Sequence, residues 1–419
     1  MRLVTGLLCG LGVLSGVACS SAPTDGGTSG GGDDTLKGRG DGEVRGAGYG
    51  SGTGGTAATA GGLPSASAGA SSGSSAPGSG MSEGPAPSGD ASSDPSSGES
   101  SGGAGGESSP EPIPPTTKPG QPQAGILTAG AWDDNRNFER FLGYRSTWAE
   151  LQLPGLLPIS EDELKTAHEV WKKPLVAHRK LDISLVIDTT GSMGDEIAYL
   201  QSEFLALSNA IAEQYPGSDQ RWSLVAYKDV QDEYIARWFD FRTDAEDFRQ
   251  HLGNLSAGGG GDFPESPERA FEAAEQLAWR TDETAARLAF WVADAPHHDD
   301  RAAAMAEALR GMQGLGVHVY PVASSGVDDL TELSMRTAAA LTGGRYLFLT
   351  NDSGVGGDHK EPTVPCYFVT SLRDAIVRMV DIELGGEYHE PLTSQVLRTG
   401  GDPHDGACKL GSGESVLVY

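Results

Sequence analysis

Apolar and polar positions follow two periods along residues 177–385. Short, nearly continuous apolar runs at 183–187, 288–293 and 317–322 read as strands covered on both faces. Runs with period 3.6 predict amphipathic helices at 196–214, 245–252, 267–277, 302–312, 328–341 and 371–381. Further strands are expected at 221–228 and 345–349, and at 234–241 as an antiparallel edge. Helix and strand in regular alternation predict an α/β fold: a doubly wound, mostly parallel sheet with helices on both faces and one antiparallel edge strand.

On either side the pattern changes. Residues 125–176 carry Trp132, Phe138, Phe141 and Tyr144, enough apolar surface to predict an N-terminal extension that packs on the α/β domain. Within it, Ser160 followed by Glu163 marks a capped helix start. Asp133, Asp134, Asn135 and Asn137 make an oxygen-rich stretch. It lacks the Gly and closing Glu of a calcium loop, so it reads as another helix start. Residues 386–419 form a C-terminal tail.

From 19 to 124 the composition falls to Gly, Ser, Ala, Pro and Thr, with almost no aromatics. Such a segment buries too little apolar surface to offset its chain entropy and is expected to be a long disordered linker. Roughly 100 residues of this kind span about 55 Å root-mean-square. Residues 1–18 read as an export signal with a short apolar core, too short to span a membrane comfortably. The small residues before Cys19 resemble the lipobox of bacterial lipoproteins, so Cys19 is expected to carry lipid and anchor the mature chain. Ser20 next to it carries no inner-membrane retention signal, which points to the outer membrane or cell surface.

The candidate chemistry sits where the predicted strands end. In LDISLVIDTTGSMG an apolar strand runs into Asp188, and Thr190 and Ser192 follow at alternate positions. In RLAFWVADAPHHDD a second buried strand ends at Asp294, and between the two, GGGGDFPESPER offers Asp262 after a run of glycines. Carboxylates and hydroxyls gathered at the carboxyl ends of parallel strands make an all-oxygen site, which suits Mg²⁺ foremost, or Mn²⁺ or Ca²⁺. Three separated stretches are thus expected to converge on one hard cation.

Catalytic readings of the first motif are weaker. An aspartic protease loop would lack the inserted Thr and needs a second copy for its carboxylate dyad. An aspartyl-phosphate enzyme wants a second acid where Thr190 stands. A nucleophile elbow needs Gly at that same position. His297 and His298, beside Asp294, read as loop residues next to the ion. His359 lies in a Gly-rich loop expected on the same rim, a candidate specificity element. Tyr227 and Trp291 read as packing.

With these motifs in order, the chain resembles the von Willebrand factor type A (VWA) domain family over roughly residues 177–385. Asp188, Thr190 and Ser192 match the D-x-T-x-S of its metal-ion-dependent adhesion site. Asp294 matches the family's late Asp, and RWSLVAYKDVQDE its second strand. Asp262 stands where many members have Thr, a change that places a third carboxylate by the ion and predicts tighter metal binding with weaker attraction for an acidic ligand. The resemblance implies a Rossmann-like fold and a non-enzymatic protein, whose cation accepts an oxygen, a Glu or Asp carboxylate, from a partner protein. An assembly or chaperone-like subunit of an envelope complex is the alternative function, and a metal-assisted hydrolase the third.

Cysteine count and charge narrow the setting. Cys9 leaves with the signal and Cys19 carries lipid, which leaves Cys366 and Cys408 as a possible disulfide in an exported chain. A formal charge of −28 disfavours nucleic acid, whose phosphates need a basic face, and leaves membrane attachment to the N-terminal lipid.

Overall fold

The computed structural model describes residues 40–45, 126–353 and 357–419. The expected signal peptide, Cys19 and the linker apart from 40–45 lie outside the described residues.

The elements, in chain order, are β1 (Gly42–Val44), β2 (Thr128–Trp132), α1 (Phe138–Glu150), α2 (Glu161–Trp171), β3 (Lys180–Asp188), α3 (Gly194–Gln214), β4 (Asp219–Tyr227) and β5 (Ala236–Arg242). Then follow α4 (Ala245–Gly253), α5 (Pro267–Glu275), β6 (Ala285–Ala293), α6 (Ala302–Gly314), β7 (His318–Ala323), α7 (Asp329–Thr342) and β8 (Tyr346–Thr350). The last are β9 (Tyr367–Ser371), α8 (Leu372–Gly385), β10 (Arg398–Gly400), β11 (Ala407–Lys409) and β12 (Ser415–Leu417). Ten strands form one sheet in the order β1-β5-β4-β3-β6-β7-β8-β2-β9-β10. β4, β3, β6, β7 and β8 run parallel, as the alternation of helix and strand predicts, and β5 is antiparallel to β4.

The strand β3 shows how sequence places the layers. Leu181, Ile183, Leu185 and Ile187 face one side and pack with α3, α4 and α8, including Phe204, Phe248 and Met379. Val186 faces the other side, where Phe271, Met305 and Met335 of α5, α6 and α7 fill the second core. With both faces covered, β3 is buried from Leu181 to Asp188. The strands run longer than the apolar cores suggest, β3 from Lys180 and β6 from Ala285, because polar Asp182 and Arg287 continue the ladder.

Three findings alter the expected organisation. The N-terminal extension does not simply pack on the sheet: β2 lies inside it, antiparallel to β8 on one side and β9 on the other. Asp133 and Asp134 just after β2 are buried, each against an arginine: Arg345 Nε lies 3.2 Å from Asp133, and Arg336 Nη2 lies 2.6 Å from Asp134. These ion pairs tie the extension to β8 and α7. Ser160 does cap α2, accepting from Glu163 N while Glu163 accepts from Ser160 N.

The C-terminal tail is also ordered against the domain. β10 pairs with β9, the β11–β12 hairpin packs beside α1, and Cys366 is joined to Cys408 with their Cα atoms 6.3 Å apart. Finally, residues 40–45 fall within the stretch expected to be disordered, yet β1 pairs antiparallel with β5. Its acids meet arginines across the ladder, a cross-strand complementarity that composition alone does not carry. So β5, expected at the edge, has a neighbour on each side. Among the described residues no helix is long and apolar enough to cross a membrane.

Candidate functional site

The site lies at the carboxyl ends of β3 and β6, where the topology brings three loops together. β3 ends on Asp188, which is fully buried. Its Oδ1 accepts from Thr190 N (2.9 Å) and Thr190 Oγ1 (2.7 Å), so the carboxylate and the hydroxyl two residues on are locked together. Its Oδ2 is buried with no partner. A 3₁₀ turn, Gly191–Met193, carries Ser192 to the surface before α3 begins.

Backbone hydrogen bonds fasten this loop to the glycine-rich one. Gly258 N donates to Thr189 O (3.1 Å) and Gly191 N to Gly259 O (3.2 Å). Lys228 Nζ donates to Thr189 O (2.7 Å) and also reaches Gly258 O, so one ammonium holds both loops. Gly260 has φ +74°, and a Cβ there would come within 3.0 Å of Glu265 Oε1 and 3.2 Å of Thr190 Cβ. Glycine is needed here both for the left-handed backbone and for the close approach. The third loop, after β6, joins through Glu265 N donating to Pro296 O (2.9 Å).

Thr190, Ser192, Asp262 and Asp294 line one open cavity of about 720 Å³, together with Glu265 and Phe263. Asp294 is buried, and its Oδ1 has no partner. Burial pushes its carboxyl above the usual range, Glu196 adds to this, and the Ser192 hydroxyl opposes it. Asp188 is pushed up to about 7, first by burial and then by the charge of Asp294. Two carboxyls with raised proton affinity, each with a bare buried oxygen, and two hydroxyls form a donor set that fits a hard divalent cation.

Asp262 stands apart from them. It is exposed at the rim, and among the described residues no three His, Cys, Asp or Glu side chains are spaced to hold an ion by themselves. The structure therefore does not gather Asp188, Asp262 and Asp294 as the expected trio. The third buried acid is Glu265, which sequence reasoning missed. Its Oε2 has no partner, and its carboxyl is pushed to about 9 by burial, then by Asp188, Asp229, Asp232 and Asp294. In PESPER this Glu reads as part of a helix start. The structure holds it between the glycine-rich loop and the β6 loop.

The remaining candidates have structural partners. His297 is buried and its Nε2 donates to Gly155 O (2.9 Å) in the extension. His298 Nε2 donates to Asp229 Oδ1 (2.7 Å), which also accepts from Ser266 Oγ (3.1 Å). His359, expected as a surface specificity element, is buried, and its Nδ1 donates to Asn351 Oδ1 (3.0 Å), so it braces its own loop. Tyr227 is a core residue whose hydroxyl accepts from Trp291 Nε1 (3.1 Å).

Comparison with known proteins agrees with this architecture. The family model for the von Willebrand factor A domain matches residues 182–337, which run from β3 through most of α7 and include Asp188 and Asp294. An alpha-protein kinase, vwkA, of Dictyostelium discoideum is 26% identical over 146 residues, 35% of this chain and 23% of that protein. The chain thus spans about a quarter of the length of the curated relative it matches. Motif, topology and family match coincide on the same strands: residues 182–337 are similar to the von Willebrand factor A domain family.

Proposed function

We propose that this chain is a lipid-anchored protein of the bacterial envelope whose VWA domain binds a partner protein through a divalent cation, without catalysing a reaction. Protein interaction or adhesion is the general role of a VWA domain. The observation that carries the finer reading is the pair of bare, buried carboxylate oxygens: Asp294 Oδ1, on a residue that lines the cavity, and Asp188 Oδ2, on the residue bonded to the cavity-lining Thr190. A buried charged oxygen without a partner is costly, and a bound cation is the simplest group that would satisfy both.

Asp188, Thr190 and Ser192 would be inner ligands, with Asp294 in or next to that shell and Asp262 reaching in from the rim. Mg²⁺ suits the oxygen donors best, with Mn²⁺ or Ca²⁺ as alternatives. When bound, the cation would supply an open coordination position for an oxygen of the partner, foremost a Glu or Asp carboxylate. The exposed Phe263 beside the cavity offers that partner an apolar contact. A base and nucleophile set suited to hydrolysis is not evident in the cavity wall.

Capture of partners from an envelope lysate on the full chain tests the reading. Loss of the captured protein both with EDTA and with Asp188→Ala is expected. Capture that survives both would instead favour a metal-independent assembly subunit, and turnover of peptides or phosphoesters would favour a hydrolase. Release of the chain from the membrane fraction by Cys19→Ala is the expected result for the anchor.

A further inference from the structure

The outer edge of β5 is read by five successive residues of the chain's own N-terminal region, Gly40 to Val44. Gly42, Glu43 and Val44 pair with Trp238, Arg237 and Ala236. Ile235 N donates to Val44 O (2.8 Å), and Asp240 N donates to the side chain of Asp41 (2.8 Å). Trp238 Nε1 donates to Gly40 O (2.7 Å). Arg242 pairs with Asp41 (2.7 Å) and Arg237 with Glu43.

Gly42 lies so close to the Trp238 indole that a Cβ would stand 2.1 Å from the ring. Val44 packs against the core below. Backbone pairing supplies affinity here, while two arginines, an indole face and an apolar seat select an acid–Gly–acid–aliphatic pattern.

Two features make this edge a binding site rather than a fixed part of the sheet. The occupant is only three paired residues long, joined on both sides to Gly- and Ser-rich sequence. So short a strand, held by few backbone bonds, is displaceable. The edge is also continuous with the candidate site. Arg237 stacks over Tyr234 at 4.2 Å, the Tyr234 hydroxyl lies 2.7 Å from Thr189 Oγ1 in the Asp188 loop, and both line a hollow of about 270 Å³ that reaches Gly258 and Gly259.

We propose that the edge of β5 is a strand-addition site for extended acidic peptides. The chain's residues 41–44 fill it in cis, and an acid–Gly–acid–aliphatic segment of a protein partner takes it in exchange. Arg237 and Arg242, which also pair within the domain with Glu233 and Asp247, supply the cationic groups that such a partner needs on a chain whose formal net charge is −28. Nothing in the exchange requires a metal, so its test is independent of the cation reading.

The test uses the full chain in EDTA and a fluorescent peptide with the sequence of residues 40–45. Gly42→Leu, which drives the chain's own strand off Trp238, is expected to bind the peptide at least about tenfold more tightly than wild type, whose edge is already occupied. The double variant Asp41→Lys/Glu43→Lys, on surface residues of the displaced strand, should do the same and guards against a folding defect in the first. Adding Arg237→Glu/Arg242→Glu to Gly42→Leu should abolish binding, and a peptide with Lys at both acidic positions should restore it. Equal affinity for wild type and both opened variants would overturn the proposal. So would no binding by opened variants of native circular dichroism, or indifference to charge reversal.

Discussion

Asp188→Asn should stabilise the metal-free protein while abolishing its response to metal. The Asp188 carboxyl is fully buried and pushed from 3.8 to about 7, so in the absence of a cation its ionised form is disfavoured in the folded state. The folded chain then holds a proton that the unfolded chain releases. Stability must fall as pH rises from about 4 toward 7, and the full penalty is present above 7. Three pKa units correspond to about 4 kcal/mol as an upper figure.

Asparagine removes the charge and keeps Oδ1, which can still accept from Thr190 N and Oγ1. A gain of roughly 2–4 kcal/mol in EDTA at pH 8 is therefore expected, a rise in Tm on the order of 10 °C. The gain should shrink toward zero near pH 4. Saturating MgCl₂ should raise wild-type stability by RT ln(1 + [Mg²⁺]/Kd), about 2.7 kcal/mol at one hundred times Kd, and leave the variant unmoved. Thermal melts of the full chain across pH 4–8, with and without metal, read all of this. A variant less stable than wild type in EDTA at pH 8, or a difference that ignores pH, would refute the reasoning.

Other positions give separate tests. Glu265→Gln mimics the protonated acid but cannot ionise when unfolded, so in EDTA it should match wild type near pH 4 and already be the more stable at pH 7. The difference should grow with pH up to about 9 and level off above it. Replacing both Cys366 and Cys408 by Ser removes a link across a sequence separation of 42 and should cost about 2–4 kcal/mol in denaturant melts, with proteolysis of the tail accelerated. Arg336→Ala leaves Asp134 and Glu332 buried without their shared cation, and roughly 3–5 kcal/mol should be lost in the same melts.

The residues that were readable in the sequence share one property: their environment is announced by their neighbours. Asp188 and Asp294 each end an apolar run, and a run buried on both faces must deliver its last residue to the sheet's carboxyl edge. Thr190 and Ser192 then follow from spacing alone. Glu265 had no such signal. It is held beside Gly260 and bonded through its backbone to Pro296, contacts between separated loops that the sequence around it does not announce. Asp262 carries no such signal either, since a Gly-flanked Asp is equally suited to an exposed rim, where the structure places it beside the cavity.

β2 escaped notice because TAGAW is short and small-residued, and its place in the sheet is set by β8 and β9, far along the chain. Asp133 and Asp134 looked like the oxygens of a helix start for the same reason: Arg336 and Arg345, which neutralise them, lie some 200 residues away. β1 is the extreme case, a polar island in Gly-rich sequence whose only mark as a strand is the pair of arginines waiting on β5.

Asp188, Thr190, Ser192 and Asp294 are proposed to hold one divalent cation. Anomalous diffraction from crystals of the full chain soaked in MnCl₂ addresses it directly. One peak within coordination distance of Asp188 and Ser192, lost in Asp188→Asn, is the predicted result. A map with no peak in that cavity, or a Mn²⁺ ion bound elsewhere while Asp188 Oδ2 stays bare, would contradict it.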